Sequence, residues 1–150
     1  MRLLIQRVQE ARVLIQKQLY SQIGPGLLVL LGIHKGDDAS PIKWLVNKLV
    51  HLRIFGDKEG KMNLSLKDIG GEILVVSQFT LYGNCLSGRR PDFIQAAPPS
   101  IAQPLYQRFI DQLSQEISQV QTGVFGAEMQ IALINDGPVT FLIESEKKSG

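Results

Sequence analysis

The sequence predicts an α+β fold, one domain over residues 1–150 in which a sheet dominates and two helices cover it. Three observations carry this. The run Leu27-Leu28-Val29-Leu30-Leu31-Gly32-Ile33 is apolar on both faces, as a strand in the middle of a sheet is. Ile42, Leu45, Val46, Leu49 and Leu52 mark one helical face, and Ile101, Leu105, Phe109, Leu113 and Ile117 mark another. A chain of 150 residues buries about two-thirds of its unfolded surface, enough for a core without disulfides.

Taken in order, Leu3-Leu4-Ile5 with Val8, then Val13-Leu14-Ile15 with Leu19, are separated by polar residues and predict two strands joined near Gln9-Glu10. Gly24-Pro25-Gly26 punctuates the chain before the core strand. Ser40-Pro41 has the form of an N-cap followed by proline at the first helical position, which starts a helix running from about Ser40 to Leu52. Residues 56 to 63 read as loop, and Gly70-Gly71 leads into Ile73-Leu74-Val75-Val76, whose β-branched content suits a buried strand ending in Ser77-Gln78-Phe79-Thr80. Residues 83 to 99 are loop-like, and Pro104 belongs near the start of the second helix, where a missing N–H does least harm. Strands from Met129 to Ile134 and from Val139 to Ile143 flank Asn135-Asp136-Gly137-Pro138.

Composition narrows the function. The lone Cys85 cannot form an internal bridge, and two histidines with one cysteine offer no metal-ligand spacing, so no metal or cofactor is expected and a cytoplasmic location is. The longest apolar run is too short for a membrane span. A formal charge of +2 is compatible with contact to RNA but lacks the dense basic block of a DNA-wrapping protein. Asp57, Glu59 and Asp68 have no spacing that fixes an acid/base pair and read as solvated, and Lys147-Lys148 reads as a solvated tail.

Two short segments could carry chemistry. Gly137-Pro138 between apolar runs is either an ordinary tight turn or a rigid piece of bare backbone that recognises a ligand by shape, and proline makes a cis bond accessible there. Ser77-Gln78-Phe79-Thr80 is either a polar strand end turning into a loop or a cluster of hydroxyls, an amide and free backbone N–H groups, those of Phe79 and Thr80 being candidates to hold an oxyanion. His34 and His51 lie far from any serine or cysteine motif and read as structural. Cys85 has no base to activate it. Among Arg89, Arg90, Lys58, Lys61 and Lys67, Arg90 is the best candidate for a phosphate contact.

Gln6-Arg7-Val8, residues 26 to 32, Gly60-Lys61-Met62-Asn63, Ser77-Gln78-Phe79-Thr80-Leu81, Arg90-Pro91 and Asn135-Asp136-Gly137-Pro138-Val139-Thr140 together resemble the D-aminoacyl-tRNA deacylase family over nearly the whole chain. The resemblance implies a rolled, mainly antiparallel, barrel-like sheet with helices on one side, a homodimer, and hydrolysis of the ester joining a D-amino acid, or mischarged glycine, to the terminal adenosine of tRNA. It implies that Gly137 and Pro138, joined cis, reach into the partner's pocket and exclude L-amino acids, and that Ser77, Gln78, Phe79 and Thr80 line the reaction site. Phe125 and Met129 match positions at the adenosine or pocket wall, Arg7 sits behind the filter, and Arg90 is a tRNA contact. Asp92 departs from the family, which often has serine there, and residues 82 to 85 fall in a variable stretch. Two rivals stand beside this reading: a sibling class with a trans Gly-Pro that edits other mischarged tRNAs, and a non-catalytic tRNA-binding dimer.

Overall fold

The computed structural model describes residues 1–146, so the expected tail at Lys147-Lys148 lies outside the described residues. In chain order the strands are β1 (Arg2–Ile15), β2 (Gln18–Ile23), β3 (Gly26–Gly32), β4 (Phe55–Gly56), β5 (Met62–Leu64), β6 (Glu72–Ser77), β7 (Val120–Thr122) and β8 (Gln130–Glu144). The helices are α1 (Ile42–His51), α2 (Leu66–Ile69) and α3 (Pro99–Glu116), with a 3-10 turn at Phe79–Tyr82.

β1 is the seam of the sheet. One edge pairs antiparallel with β8 along its length, while the other pairs antiparallel with β3 through its first half and with β2 through its second. β3, β6 and β7 continue the sheet in parallel, giving the order β2-β1-β3-β6-β7 with β8 on β1. The sheet then rolls until its edges nearly meet, where the Ser21 hydroxyl of β2 donates to the Thr122 carbonyl of β7 at 2.7 Å. The barrel-like α+β fold is as expected, with the parallel β3-β6-β7 segment making the sheet mixed.

Strand alternation sorts the core into two sides. Leu3, Ile5, Leu27, Val29, Leu31, Ile73 and Val75 face the helices and pack with Leu45, Leu49, Phe109 and Leu113. Leu28, Leu74 and Val76 point into the roll, where they meet Val8, Ala11, Val13 and Ile23. β1 therefore changes face along its course: the odd positions Leu3 and Ile5 belong to one side and the odd positions Ala11 and Val13 to the other. The switch is made at the register shift against β8 between Val8 and Glu10. That bulge is what makes the sequence around Gln9-Glu10 resemble a break between two strands, although the backbone runs on as one.

Other differences have equally local causes. Ser40 does not cap α1; its amide instead bonds the Asp38 side chain at 2.8 Å, and Pro41 occupies the cap position. Gln16 and Lys17, both at positive φ, form a two-residue hairpin turn between β1 and β2 without the usual Asn-Gly signature. The stretch expected as loop holds the β4-β5 hairpin, followed by α2 with a reciprocal Ser65/Asp68 cap. Pro104 lies inside α3, with Pro99 at its first turn.

Candidate active site

β6 delivers Ser77 to the end of the sheet, and the chain immediately tightens into the 3-10 turn. Gly32, at the end of β3, makes room for it: a Cβ there would stand 2.9 Å from Leu81 Cβ and 3.2 Å from the Gln78 carbonyl oxygen. The Gln78 amide bonds the Leu31 carbonyl at 2.9 Å, and the Leu81 amide closes the turn on the Gln78 carbonyl at 3.2 Å. The amides of Phe79 and Thr80 are then the first two of the turn and have no acceptor among the described residues. Phe79 and Thr80 are exposed, and the Gln78 side-chain amide donates to the Thr80 hydroxyl.

Arg2 braces this turn. Its Nη1 donates to the Leu81 carbonyl at 2.7 Å, its guanidinium lies 4.5 Å from the centre of the Tyr82 ring, and its Nε pairs with Glu144. Burial raises the Tyr82 phenol well above its ordinary range, with Asp37 adding to the effect. Phe125 and Met129 belong to the same end of the molecule. β7 runs parallel to β6, and the Gly123 amide bonds the Val75 carbonyl at 3.3 Å, so the loop carrying them leaves the sheet beside Ser77. Phe125 packs against Tyr106 of α3 at 5.8 Å between ring centres, and the Tyr106 hydroxyl donates to the Val75 carbonyl at 3.0 Å.

Gly137 and Pro138 sit elsewhere, in a feature that a two-strand reading of residues 129 to 143 does not anticipate. β8 is one strand, and against it Gln6 pairs with Thr140 while Val8 pairs with Asn135. One residue of β1, Arg7, thus spans the place where β8 inserts four, and the surplus loops out as an arch. The Gly137–Pro138 peptide bond is cis, Gly137 has φ +138°, and both residues are exposed. Asn135 ties the feet of the arch together, its Oδ1 accepting from the Val139 amide at 2.9 Å and its Nδ2 donating to Thr140 Oγ1 at 3.0 Å. Arg7 holds it from behind, donating to the Asp136 carbonyl at 3.0 Å and to the Ile54 carbonyl at 2.7 Å.

The arch and the turn do not meet within one chain. Ser77 stands opposite Leu31, Leu31 opposite Leu3 and Leu3 opposite Ile143, whereas the arch begins beyond Thr140. Three strand spacings, about 14 Å, separate them across the sheet, with a further offset of about 10 Å along it.

The remaining candidates fall into place individually. His34 braces its loop, Nδ1 accepting from the Gly36 amide and Nε2 lying 2.7 Å from Gln95 Oε1, while His51 Nδ1 bonds the Asn47 carbonyl within α1. Cys85 is exposed, and Arg90 is exposed on the loop that follows the 3-10 turn. Among the described residues no group of three or more His, Cys, Asp or Glu is placed to hold a metal ion, and no helix is long and apolar enough to cross a membrane. Arg2, Tyr106 and Asn135 were not singled out from sequence. Asn135 alone carried a signal, its place in the Asn-Asp-Gly-Pro segment; the other two act through contacts more than 30 residues away.

Paired amides without acceptors at a strand end suit a developing oxyanion. The family model described as D-Tyr-tRNA(Tyr) deacylase matches residues 4–144, and the chain belongs to that family. It is 64% identical over 145 residues to a D-aminoacyl-tRNA deacylase of Protochlamydia amoebophila (strain UWE25), covering 97% of this chain and 96% of the relative. It is 53% identical to one of Thermosipho africanus (strain TCF52B), with 98% and 99% covered. A solved structure of a c-Myc DNA Unwinding Element Binding Protein superimposes with a TM-score of 0.93 at 41% identity, covering 98% of this chain and 100% of that one.

Proposed function

We propose that the protein hydrolyses the ester of D-aminoacyl-tRNA, and of glycine mischarged on tRNA, as a cytoplasmic homodimer in which each chain lends its Gly137-Pro138 arch to the other's pocket. Family membership makes the chain an aminoacyl-tRNA hydrolase. The observation that carries the finer reading is the arch itself, exposed in one chain and held rigid by Arg7 and Asn135 at a distance from the turn it would serve. A second copy related by a twofold axis brings the two halves together twice.

In this reading the carbonyls of the arch accept from the substrate ammonium, and the main chain leaves no room for a side chain of L configuration. A D side chain points to open space, and glycine, with nothing to clash, passes. The amides of Phe79 and Thr80 hold the carbonyl oxygen as water adds, and the 3′-oxygen of the adenosine leaves. Thr80 has no base to deprotonate it, its hydroxyl being paired with the Gln78 amide, so water is the better nucleophile and the neighbouring ribose 2′-OH a suitable aid. Phe125 and Met129 form the wall for the adenosine, next to Ser77.

Release of free amino acid from D-aminoacyl-tRNA at catalytic enzyme concentrations, undiminished by chelators, is the expected result. Tight tRNA binding without release at stoichiometric protein would favour the non-catalytic dimer instead.

A further inference from the structure

The loop after the 3-10 turn is a built element. Asn84 and Asp92 exchange backbone hydrogen bonds at 2.8 and 3.0 Å, and their side chains bond across the same neck at 3.1 Å. The second Asp92 oxygen accepts from the Ile94 amide at 3.3 Å. The departure at Asp92 and the variable position Asn84 are therefore partners, and they pinch residues 84 to 92 into a small hairpin. Its far side is anchored to the sheet by Lys35 N–H to Gln95 and Ala97 N–H to Ile33, at 3.0 and 2.9 Å.

What this hairpin presents is specific. At its tip Arg89 and Arg90 are exposed, and neither has an acidic partner among the described residues. At its base Phe93, 39% exposed, meets Phe79, 54% exposed, edge to face with 5.1 Å between ring centres. Ile94 is exposed beside them. Two solvent-facing aromatic rings at the base of the hairpin and two guanidinium groups at its tip, following directly on the 3-10 turn, are the components of a grip on single-stranded nucleic acid: rings on which bases stack and cations that track phosphates.

We infer that the 84–92 hairpin and Phe93 bind the unpaired nucleotides immediately preceding the terminal adenosine, a base stacking on Phe93 and phosphates meeting Arg89 and Arg90. The inference rests on the deacylase reading and adds a second, side-chain-based site outside the main-chain pocket. It makes the enzyme sense the RNA separately from the amino acid, so that substrate length changes affinity while handedness is judged elsewhere.

The test compares two esters of the same D-amino acid, one on intact tRNA and one on adenosine alone, with Phe93→Ala and with the double variant Arg89→Ala/Arg90→Ala. Loss of one stacked base is expected to raise KM for the tRNA ester roughly ten-fold. The double arginine variant, altered only at an exposed tip, is expected to weaken it comparably and to flatten its salt dependence by about 0.7 per lost phosphate contact on a logarithmic plot. The double arginine variant should cleave the adenosine ester as the wild type does. Equal losses on both esters in the double arginine variant, or no selective loss on the tRNA ester in either variant, would overturn the inference while leaving the deacylase reading intact. Failure of the wild type to cleave either ester would remove that reading and this one with it.

Discussion

Gly137 shows how much one position can demand. A Cβ there would fall 2.6 Å from Val139 Cγ2 and 2.9 Å from the Val139 nitrogen, and its φ of +138° is one that L side chains rarely adopt. Sequence could mark this glycine and its proline as unusual backbone, because both are defined by what they lack. Spacing alone does not supply the neighbours: Arg7, named only by the family resemblance, reaches the arch from 129 residues away through a carbonyl that any residue would offer at that place. Thr80 poses the opposite problem, a hydroxyl in the site that invites a catalytic role. Its only side-chain partner among the described residues is the Gln78 amide, which is a donor and not a base. Thr80→Ala should therefore keep its rate within about ten-fold of wild type, whereas removing a true nucleophile costs about four orders of magnitude or more. Single-turnover rates on D-aminoacyl-tRNA decide between them, and a 2′-deoxy terminal adenosine should slow the reaction where Thr80→Ala does not.

Elements place these residues, and here legibility followed periodicity. β3, α1 and α3 were readable because their apolar spacing is regular and long. β1 and β8 each read as two strands because their alternation is interrupted, by the shift between Val8 and Glu10 in β1 and by the four-residue arch in β8, although the backbone continues. β7 and the β4-β5 hairpin are too short for a pattern of two to register. α2 was missed as well, although Ser65-x-x-Asp68 is a capping box by residue type: Ser65 N–H donates to Asp68 Oδ2 at 2.8 Å and Asp68 N–H to Ser65 Oγ at 3.1 Å. Hydrogen bonding to the carboxyl by the Ser65 amide, and then by the Ser65 hydroxyl, holds Asp68 below its ordinary value of 3.8, helped by nearby Arg53 and His51. A lowered folded-state pKa contributes stability above the ordinary value and loses it as pH falls through the lower one. The α2 turn should thus loosen first on strong acidification, seen as faster amide exchange at Ser65, and Asp68→Asn should abolish that acid step. An α2 that resists acid equally in both proteins would contradict the role given to the cap.

On the scale of the whole molecule, one chain holds the two candidate segments apart, at the end of β6 and in the middle of β8. The Phe79–Tyr82 turn, the loop carrying Phe125 and Met129 and the 84–92 hairpin lie at the end of β6, while the arch projects from the middle of β8 and is held by β1 and the segment after α1. The sequence marks both candidate segments without their separation, since spacing along a chain says nothing about which ends of a rolled sheet meet. The proposed homodimer would bring together what one chain holds apart. Specific activity should fall on dilution with the same midpoint as the dimer fraction measured by sedimentation; a fully active monomer would leave the arch without a purpose.

Main-chain atoms at residues 137 and 138 are proposed to judge the configuration of the amino acid. The direct measurement is the rate of deacylation of tRNA charged with the D and the L form of one amino acid, under identical conditions. Rapid loss of the D-aminoacyl ester with the L-aminoacyl ester left intact is the predicted result, and comparable turnover of the two would contradict it.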